Sequence, residues 1–492
     1  MGLEIGGEVE RINGKEVTYH TFVERFMKKN QPVVITGLMD GWRACTDWVM
    51  ADGQPNLQFF ADRFGKSTVQ VADCNTREFT DQRRLEMSVL EFVNHWLELL
   101  EGKGSNGFTC STQSLLYLKD WHFVKEYPEY VAYTTPPFFV DDWLNLYLDS
   151  HHMHQDSDVH HDNNEIKCSD YRFVYMGAKG TWTPLHADVF RSYSWSANVC
   201  GRKRWLFLPP SKCHHIFDRN FKSSVYDVHS DVSETKFPSF HKAVWLECIQ
   251  EQNEIIFVPS GWYHQVHNLE DTISINHNWF NGCNLSWVWN LLVKDYNEAK
   301  EYIEDIREIA DDFEGLCQRN LAANTGMNYY TFFIFLTRFS LANLMLLNNL
   351  RNGNDGFRSP SKAQHLITNL VSTRKVASRM RSAEAFAGKN QRSCCSVEDL
   401  GASSDIRNFL EDPNLLELCM AVSKAYDTIN EGEGEVGEDG STAAGLRDVG
   451  FIESCGSRIS TPEDLVRMID GTISNYGSSF LSDISDAETL AI

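Results

Sequence analysis

The segment TPLHADVFRSYSWSANVCGRKRW, Thr183 to Trp205, holds a His-x-Asp pair, His186 and Asp188, and a lysine, Lys203, seventeen residues after that histidine. A second histidine, His264, stands downstream in FVPSGWYHQVHN. Two imidazoles and one carboxylate form a donor set suited to a non-haem iron(II) centre with open positions, whereas thiolates would select zinc or an iron–sulfur cluster. Alternate residues of an extended strand share a face, so His186 and Asp188 can meet one cation. Three protein ligands leave room for dioxygen and for a 2-oxoacid that chelates through its keto oxygen and C1 carboxylate. The far carboxylate of such a co-substrate needs a cation, and Lys203 can supply it. Each piece alone says little: His264 could be a hydrogen-bonded core histidine, and Arg202-Lys203-Arg204 could be a solvated basic cluster. The three together, in short Trp-bearing segments, point to oxygen chemistry.

These side chains need a β scaffold. The turn Cys200-Gly201-Arg202 would fold the Lys203 strand back beside the His-x-Asp strand. Residues 111–282, punctuated by Gly and Pro, read as the short strands of an antiparallel barrel or double-stranded β-helix. Residues 1–110 mix strands and helices: VVITG is a buried strand, and LEMSVLEFVNHWLELLEG has helical spacing at Leu85, Leu90, Phe92, Val93, Trp96, Leu97 and Leu100. From 284 to 425 the period becomes helical, beginning with Trp287, Leu291, Leu292, Tyr296 and Tyr302. The apolar stretch Tyr329–Leu350 is broken by Thr331, Thr337, Arg338, Ser340 and Asn343, which predicts a buried or interface helix and not a membrane span. A Ser/Arg/Asn-rich linker and a further helix are expected over 351–400, and residues 426–492 read as an acidic, Gly/Ser-rich, partly disordered tail. Inside the catalytic half, residues 149–165 gather five of the seventeen histidines among acidic and polar residues. That composition reads as a polar insertion, with a metal-collecting or pH-sensitive lid as the functional alternative.

At this point a family resemblance is visible. The segments NQPVVITGLMDGW (Asn30 to Trp42), SLLYLKDWHF (Ser114 to Phe123), PPFFVDDW (Pro136 to Trp143), YRFVYMG (Tyr171 to Gly177), the His186/Asp188 run and FVPSGWYHQVHNLEDTISINHNWFN (Phe257 to Asn281) follow one another in order. Together they resemble the JmjC-domain iron(II)- and 2-oxoglutarate-dependent oxygenases, of the small hydroxylase type. The resemblance implies an α+β fold around a cupin-like jelly roll, with Fe(II) as metal and 2-oxoglutarate and O2 as co-substrates. It implies that His186, Asp188 and His264 hold the iron and that Lys203, Thr183 and Tyr117 hold the far carboxylate of 2-oxoglutarate. Asn268 and Asn276 fall where such enzymes line the pocket with polar groups; Ser192 is either another of these or an ordinary strand serine. His267 and His277 rival His264 by residue type, and the Gly-Trp-Tyr-His context favours His264. The run PLHADVFRSYSWSANVCGRKRW most resembles family members associated with C4 hydroxylation of a lysine in the eukaryotic translation termination factor. An Nε-methyl-lysine demethylase and a non-catalytic binding scaffold are the alternatives. No histone-reader or zinc-finger module accompanies the site, and no ligand is missing from it.

Composition narrows the partners. A formal net charge of −23 opposes direct nucleic-acid binding and suits a basic protein substrate, although part of it sits in EGEGEVGEDG, residues 431–440. Thirteen cysteines without a Cys-x-x-Cys pair read as reduced thiols, and a start lacking a signal peptide agrees with a cytoplasmic or nuclear location. No membrane partner is expected, and the C-terminal helices are candidates for a homodimer or substrate-docking surface. Cys213-His214-His215 has zinc-like composition but no second half.

Overall fold

Strand-forming residues fall here in runs too short to bury themselves singly, and among the described residues they are used as fourteen strands in two sheets. The computed structural model describes residues 2–104, 114–150, 170–230, 232–352, 360–386, 413–431 and 459–474. The His-rich stretch 151–165 and the acidic run 432–440 lie outside the described residues. The chain divides into two compact units, one of Met1–Pro136 with Asp156–Trp279, the other of Pro137–Gln155 with Phe280–Ile492.

In the first unit, β1 (Glu4–Glu8), β11 (Val244–Gln250), β10 (Lys203–Leu208), β13 (Tyr263–Asn268) and β8 (Trp182–His186) form a five-stranded sheet in that order. The nine-stranded sheet runs β2 (Glu10–Asn13), β3 (Val33–Thr36), β12 (Ile255–Val258), β9 (Tyr193–Cys200), β14 (Thr272–Trp279), β7 (Arg172–Gly177), β6 (Leu116–Trp121), β4 (Thr68–Glu78) and β5 (Asp81–Ser88). Most pairs are antiparallel, and among the described residues only β1 with β11 and β2 with β3 run parallel. Alternation gives the five-stranded sheet two apolar faces. Leu185, Leu206, Leu208, Trp245 and Tyr263 pack with Ile216, Val225, Val228 and Phe237. Trp205, Phe207, Val266 and Cys248 pack instead with Val34, Ile256 and Val258 of the nine-stranded sheet. That second layer is the jelly-roll interior, and it bears out the α+β expectation.

Two sequence expectations change here. The turn at Gly201 does not fold β10 back beside the His-x-Asp strand. It carries the chain from the nine-stranded to the five-stranded sheet, where β10 lies between β11 and β13, and β13 separates it from β8. Only glycine fits this turn: its φ is +72°, and a Cβ would sit 2.1 Å from the Asp271 carbonyl oxygen. Leu85 belongs to strand β5, and helix α1 begins at Val89 (Val89–Gly104), because Ser88 and Glu91 cap each other there.

The second unit is helical: α2 (Trp143–Ser150), α3 (Leu285–Tyr302), α4 (Phe313–Thr325), α5 (Tyr329–Asn352), α6 (Pro360–Met380), α7 (Pro413–Glu431) and α8 (Pro462–Ser474). The segment PPFFVDDW starts this unit, with Trp143 stacked on Phe339 at 4.5 Å and its backbone N–H donating to Phe280. Within Tyr329–Leu350 the span is long and apolar enough to cross a membrane, yet 89% of its most apolar window is buried inside the fold. Its polar residues are accommodated by the helix itself: Thr337, Ser340 and Asn343 donate to carbonyls one turn back. The tail region contains ordered structure, since α8 packs on α6 and Asp470 pairs with Arg374. Tyr302 ends α3 exposed to solvent, so it is no core position.

Candidate metal centre

Strand β8 delivers His186 as its last residue, and β13 delivers His264 directly across from it. The two rings lie 4.3 Å apart between centroids. Asp188 does not continue the strand; it begins a tight turn, with φ −58° and ψ 152°. The turn is strained, because Phe190 and Arg191 both take left-handed φ values, 54° and 52°. Packing holds it there: Phe190 is buried against Tyr171, and the Arg191 guanidinium lies over the Tyr263 ring. One ligand atom from each of His186, Asp188 and His264 falls within 4.8 Å of the others, and this is the only such group among the described residues.

The donors are pre-set. His186 Nδ1 lies 2.8 Å from the Pro184 carbonyl and His264 Nδ1 lies 3.2 Å from the Trp262 carbonyl, so each Nδ1–H donates to backbone and each Nε2 lone pair is left for metal. Burial and the neighbouring His186 push the His264 imidazole down to about 4, which keeps it in the neutral form a metal requires. Ser194, on β9 of the opposite sheet, donates from Oγ to Asp188 Oδ2 at 2.7 Å. The other carboxylate oxygen, Oδ1, is 3.9 Å from His186 Nε2.

A β-bulge completes the pocket. His264 faces His186, but two residues later Val266 faces Thr183, three residues before His186. The extra residue in β8 puts Thr183 and His186 on one face, which strict alternation would forbid. Lys203 enters from β10 opposite Asn268 and is 2% exposed. Its Nζ donates to Ser274 Oγ at 2.6 Å and to the Tyr117 hydroxyl at 3.4 Å, and it has no carboxylate partner among the described residues. Burial therefore pulls this ammonium down to about 7, and the same burial holds the Tyr117 phenol protonated.

The remaining sequence candidates sort by strand face. Asn276 donates to Ser274 Oγ at 3.1 Å, next to Lys203. Asn268 donates to Thr181 Oγ1, while its own Oδ1 is buried without a partner. Ser192 is buried and accepts from Asn278 Nδ2 at 3.2 Å. The serines that meet the key groups are Ser194 and Ser274, which sequence reading passed over; period-two spacing from Ser192 and from Asn276 was the available signal. The rival histidines lie elsewhere: His267 stacks on Trp182, and His277 packs against Trp195 within reach of the Tyr133 hydroxyl. In the Cys213-His214-His215 segment the two imidazoles lie against each other, and no metal group forms there.

The donor set fits iron(II), and the buried cation without a counter-ion fits a dicarboxylate. Ser196 Oγ and Thr272 Oγ1, on the same strand faces as Ser194 and Ser274, are also buried without partners. Comparison with known proteins agrees. Residues 19–284 match the cupin-like domain family. A protein of Arabidopsis thaliana named arginine-specific demethylase JMJ20 is 54% identical over 98% of this chain and 99% of its own length. The 2-oxoglutarate and iron-dependent oxygenases JMJD4 of Danio rerio and Gallus gallus are 41% and 36% identical, over 68% and 77% of this chain and 75% and 87% of theirs. Triad, buried lysine and relatives converge: this chain belongs to the cupin-like JmjC family of 2-oxoglutarate- and iron-dependent oxygenases.

Proposed function

We propose that this oxygenase is a protein lysyl hydroxylase, adding a hydroxyl to C4 of a lysine in the eukaryotic translation termination factor, in the cytoplasm. The observation that carries the oxygenase part is Lys203, a buried ammonium without a carboxylate, inside the same barrel as the His186/Asp188/His264 triad. The net charge of −23 supports a basic protein substrate, and the resemblance of the Pro184–Trp205 run supports the termination factor.

Bound iron(II) and 2-oxoglutarate supply the oxidation: dioxygen is split between a substrate C–H bond, which becomes C–OH, and the oxoacid, which leaves as succinate and carbon dioxide. The chain's own residues place and shield. His186 and His264 present Nε2, Ser194 fixes Asp188, and Lys203 with Tyr117 receives the far carboxylate. Trp205 and Phe207 pack against the His264 ring and would keep water from that side of a bound metal.

A second reading has its own support: the Arabidopsis relative, 54% identical over nearly the whole chain, is named an arginine-specific demethylase. Hydroxylation of an N-methyl carbon uses the same site and ends in loss of formaldehyde. Mass spectrometry of recombinant termination factor incubated with the iron-loaded enzyme and 2-oxoglutarate separates the two. Gain of one oxygen on a lysine supports hydroxylation. Loss of methyl groups from methyl-arginine peptides, with the termination factor unchanged, transfers the assignment to demethylation.

A further inference from the structure

A second buried ammonium shares this interior. Lys119 lies two residues after Tyr117 on β6, within the irregular stretch between Leu118 and Trp121, and is 2% exposed. Its Nζ sits 5.2 Å from the centre of the Tyr117 ring. Its one hydrogen-bond acceptor among the described residues is neutral, Gln82 Oε1 at 2.8 Å, with Gln82 in turn donating to the Trp182 carbonyl beside Thr183; Asp81 and Asp120 act on it only through space. The carboxylates nearby are engaged elsewhere, Asp81 by Arg84 and Asp120 by both Arg84 and the Tyr175 hydroxyl. An ammonium taken from water without an ion-pair partner opposes folding, and here that happens twice around one tyrosine, at its hydroxyl and beside its ring. Lys119 also weakens the charged form of Lys203, so its field reaches that ammonium; burial, with the nearby Arg84, holds Lys119 itself down to about 8.

We infer that Lys119 is a second cationic residue of the co-substrate pocket, compensated with Lys203 by the dicarboxylate when 2-oxoglutarate binds. This rests on the 2-oxoglutarate assignment and not on the identity of the protein substrate. A lysine kept for the fold and a lysine kept for an anion differ in what their removal does. Replacing a structural cation lowers stability. Replacing a cation that waits for a ligand raises the stability of the ligand-free protein and weakens the ligand.

The test uses the full chain loaded with manganese(II), with 2-oxoglutarate binding followed by calorimetry and thermal melting followed without metal. Lys119→Met is expected to melt higher than wild type and to bind 2-oxoglutarate about tenfold more weakly or worse, a change of about 1.4 kcal/mol, with manganese affinity unchanged. Lys119→Arg, which keeps the charge, is expected to recover part of the loss. A lower melting temperature in Lys119→Met, or affinity within about twofold of wild type while Lys203→Met loses binding, overturns the inference and leaves the co-substrate assignment standing. Failure of the wild-type protein itself to bind 2-oxoglutarate brings down both.

Discussion

The hydrogen bond from Ser194 to Asp188 is the most direct handle on how this fold tunes its metal. Ser194→Ala deletes one hydroxyl on β9 and touches neither histidine. A hydrogen bond to a charged acceptor contributes about 1.5–3 kcal/mol, and at 2.7 Å this one is well formed. Some of that is lost with or without metal, because Asp188 is bonded in the free protein too. What reaches metal affinity is the orientation: Oδ1 is aimed at the His186 side only while Oδ2 is tethered. Loss of such a partner costs about 10–100-fold in metal affinity, and with the tether shared between both states the expectation is the lower end, about tenfold or about 1.4 kcal/mol. Manganese(II) titration in competition with a chelator measures it. Ser194→Thr keeps the hydroxyl and suits a strand, so it should bind close to wild type. Affinity of Ser194→Ala within about twofold of wild type would refute the orienting role. A loss as complete as that of Asp188→Ala would refute it equally, since a tether cannot be worth as much as the ligand it holds.

Three further expectations follow from the pocket. Lys203 is held down to about 7 by burial, whereas an unfolded lysine keeps its proton to about 10.4, so between these values the unfolded chain binds more protons and metal-free stability rises with pH. Chemical denaturation across pH 7–10 should show that rise reduced in Lys203→Met, and an unchanged slope would refute it. For the same reason, 2-oxoglutarate binding at about pH 8 should take up protons, read from calorimetry in buffers of different ionisation enthalpy. Gly177→Ala places a Cβ 2.5 Å from both Tyr117 Cδ2 and Thr181 Oγ1, so the buried phenol ring must move. The KM for 2-oxoglutarate should rise several-fold with metal affinity retained; an unchanged KM would show that Tyr117 plays no part in holding it.

Residue type and spacing brought His186, Asp188, His264 and Lys203 forward as candidates, because a metal and a dicarboxylate demand those chemistries, and the resemblance of the Gly-Trp-Tyr-His context chose His264 over His267 and His277. Strand parity failed at two points, each for a local reason. Asp188 lies in a strained turn and not in the strand, and Thr183 reaches the interior only because β8 carries one residue more than its partner. Neither a bulge nor a left-handed phenylalanine has a signature in the local sequence. Sheet membership was also illegible: Cys200-Gly201-Arg202 looks like a hairpin, and only the long-range pairing of β10 with β11 and β13 makes it a crossing between sheets. Ser194 and Ser274 were missed because a serine in a strand is ordinary until its partner across the barrel is known. The helix at Tyr329–Leu350 was legible as buried from its polar interruptions, which a bilayer would tolerate poorly.

The metal ligands and the groups that steady them stand on different sheets: His186 and His264 on the five-stranded one, Ser194 and Ser274 on the nine-stranded one. Lys203 on the five-stranded sheet and Tyr117 on the nine-stranded one would share 2-oxoglutarate, and Ser194 would steady a ligand of the iron from across the barrel, so a chain whose two sheets have closed is the form that would retain them. Ligands that bind the closed form alone add stability by mass action, about 2.7 kcal/mol at a hundredfold excess over Kd. The lifetime of the protein would thereby be tied to the supply of its own reactants. A cell short of iron or of 2-oxoglutarate would hold less of this enzyme as well as a slower one, with no regulator beyond the site itself.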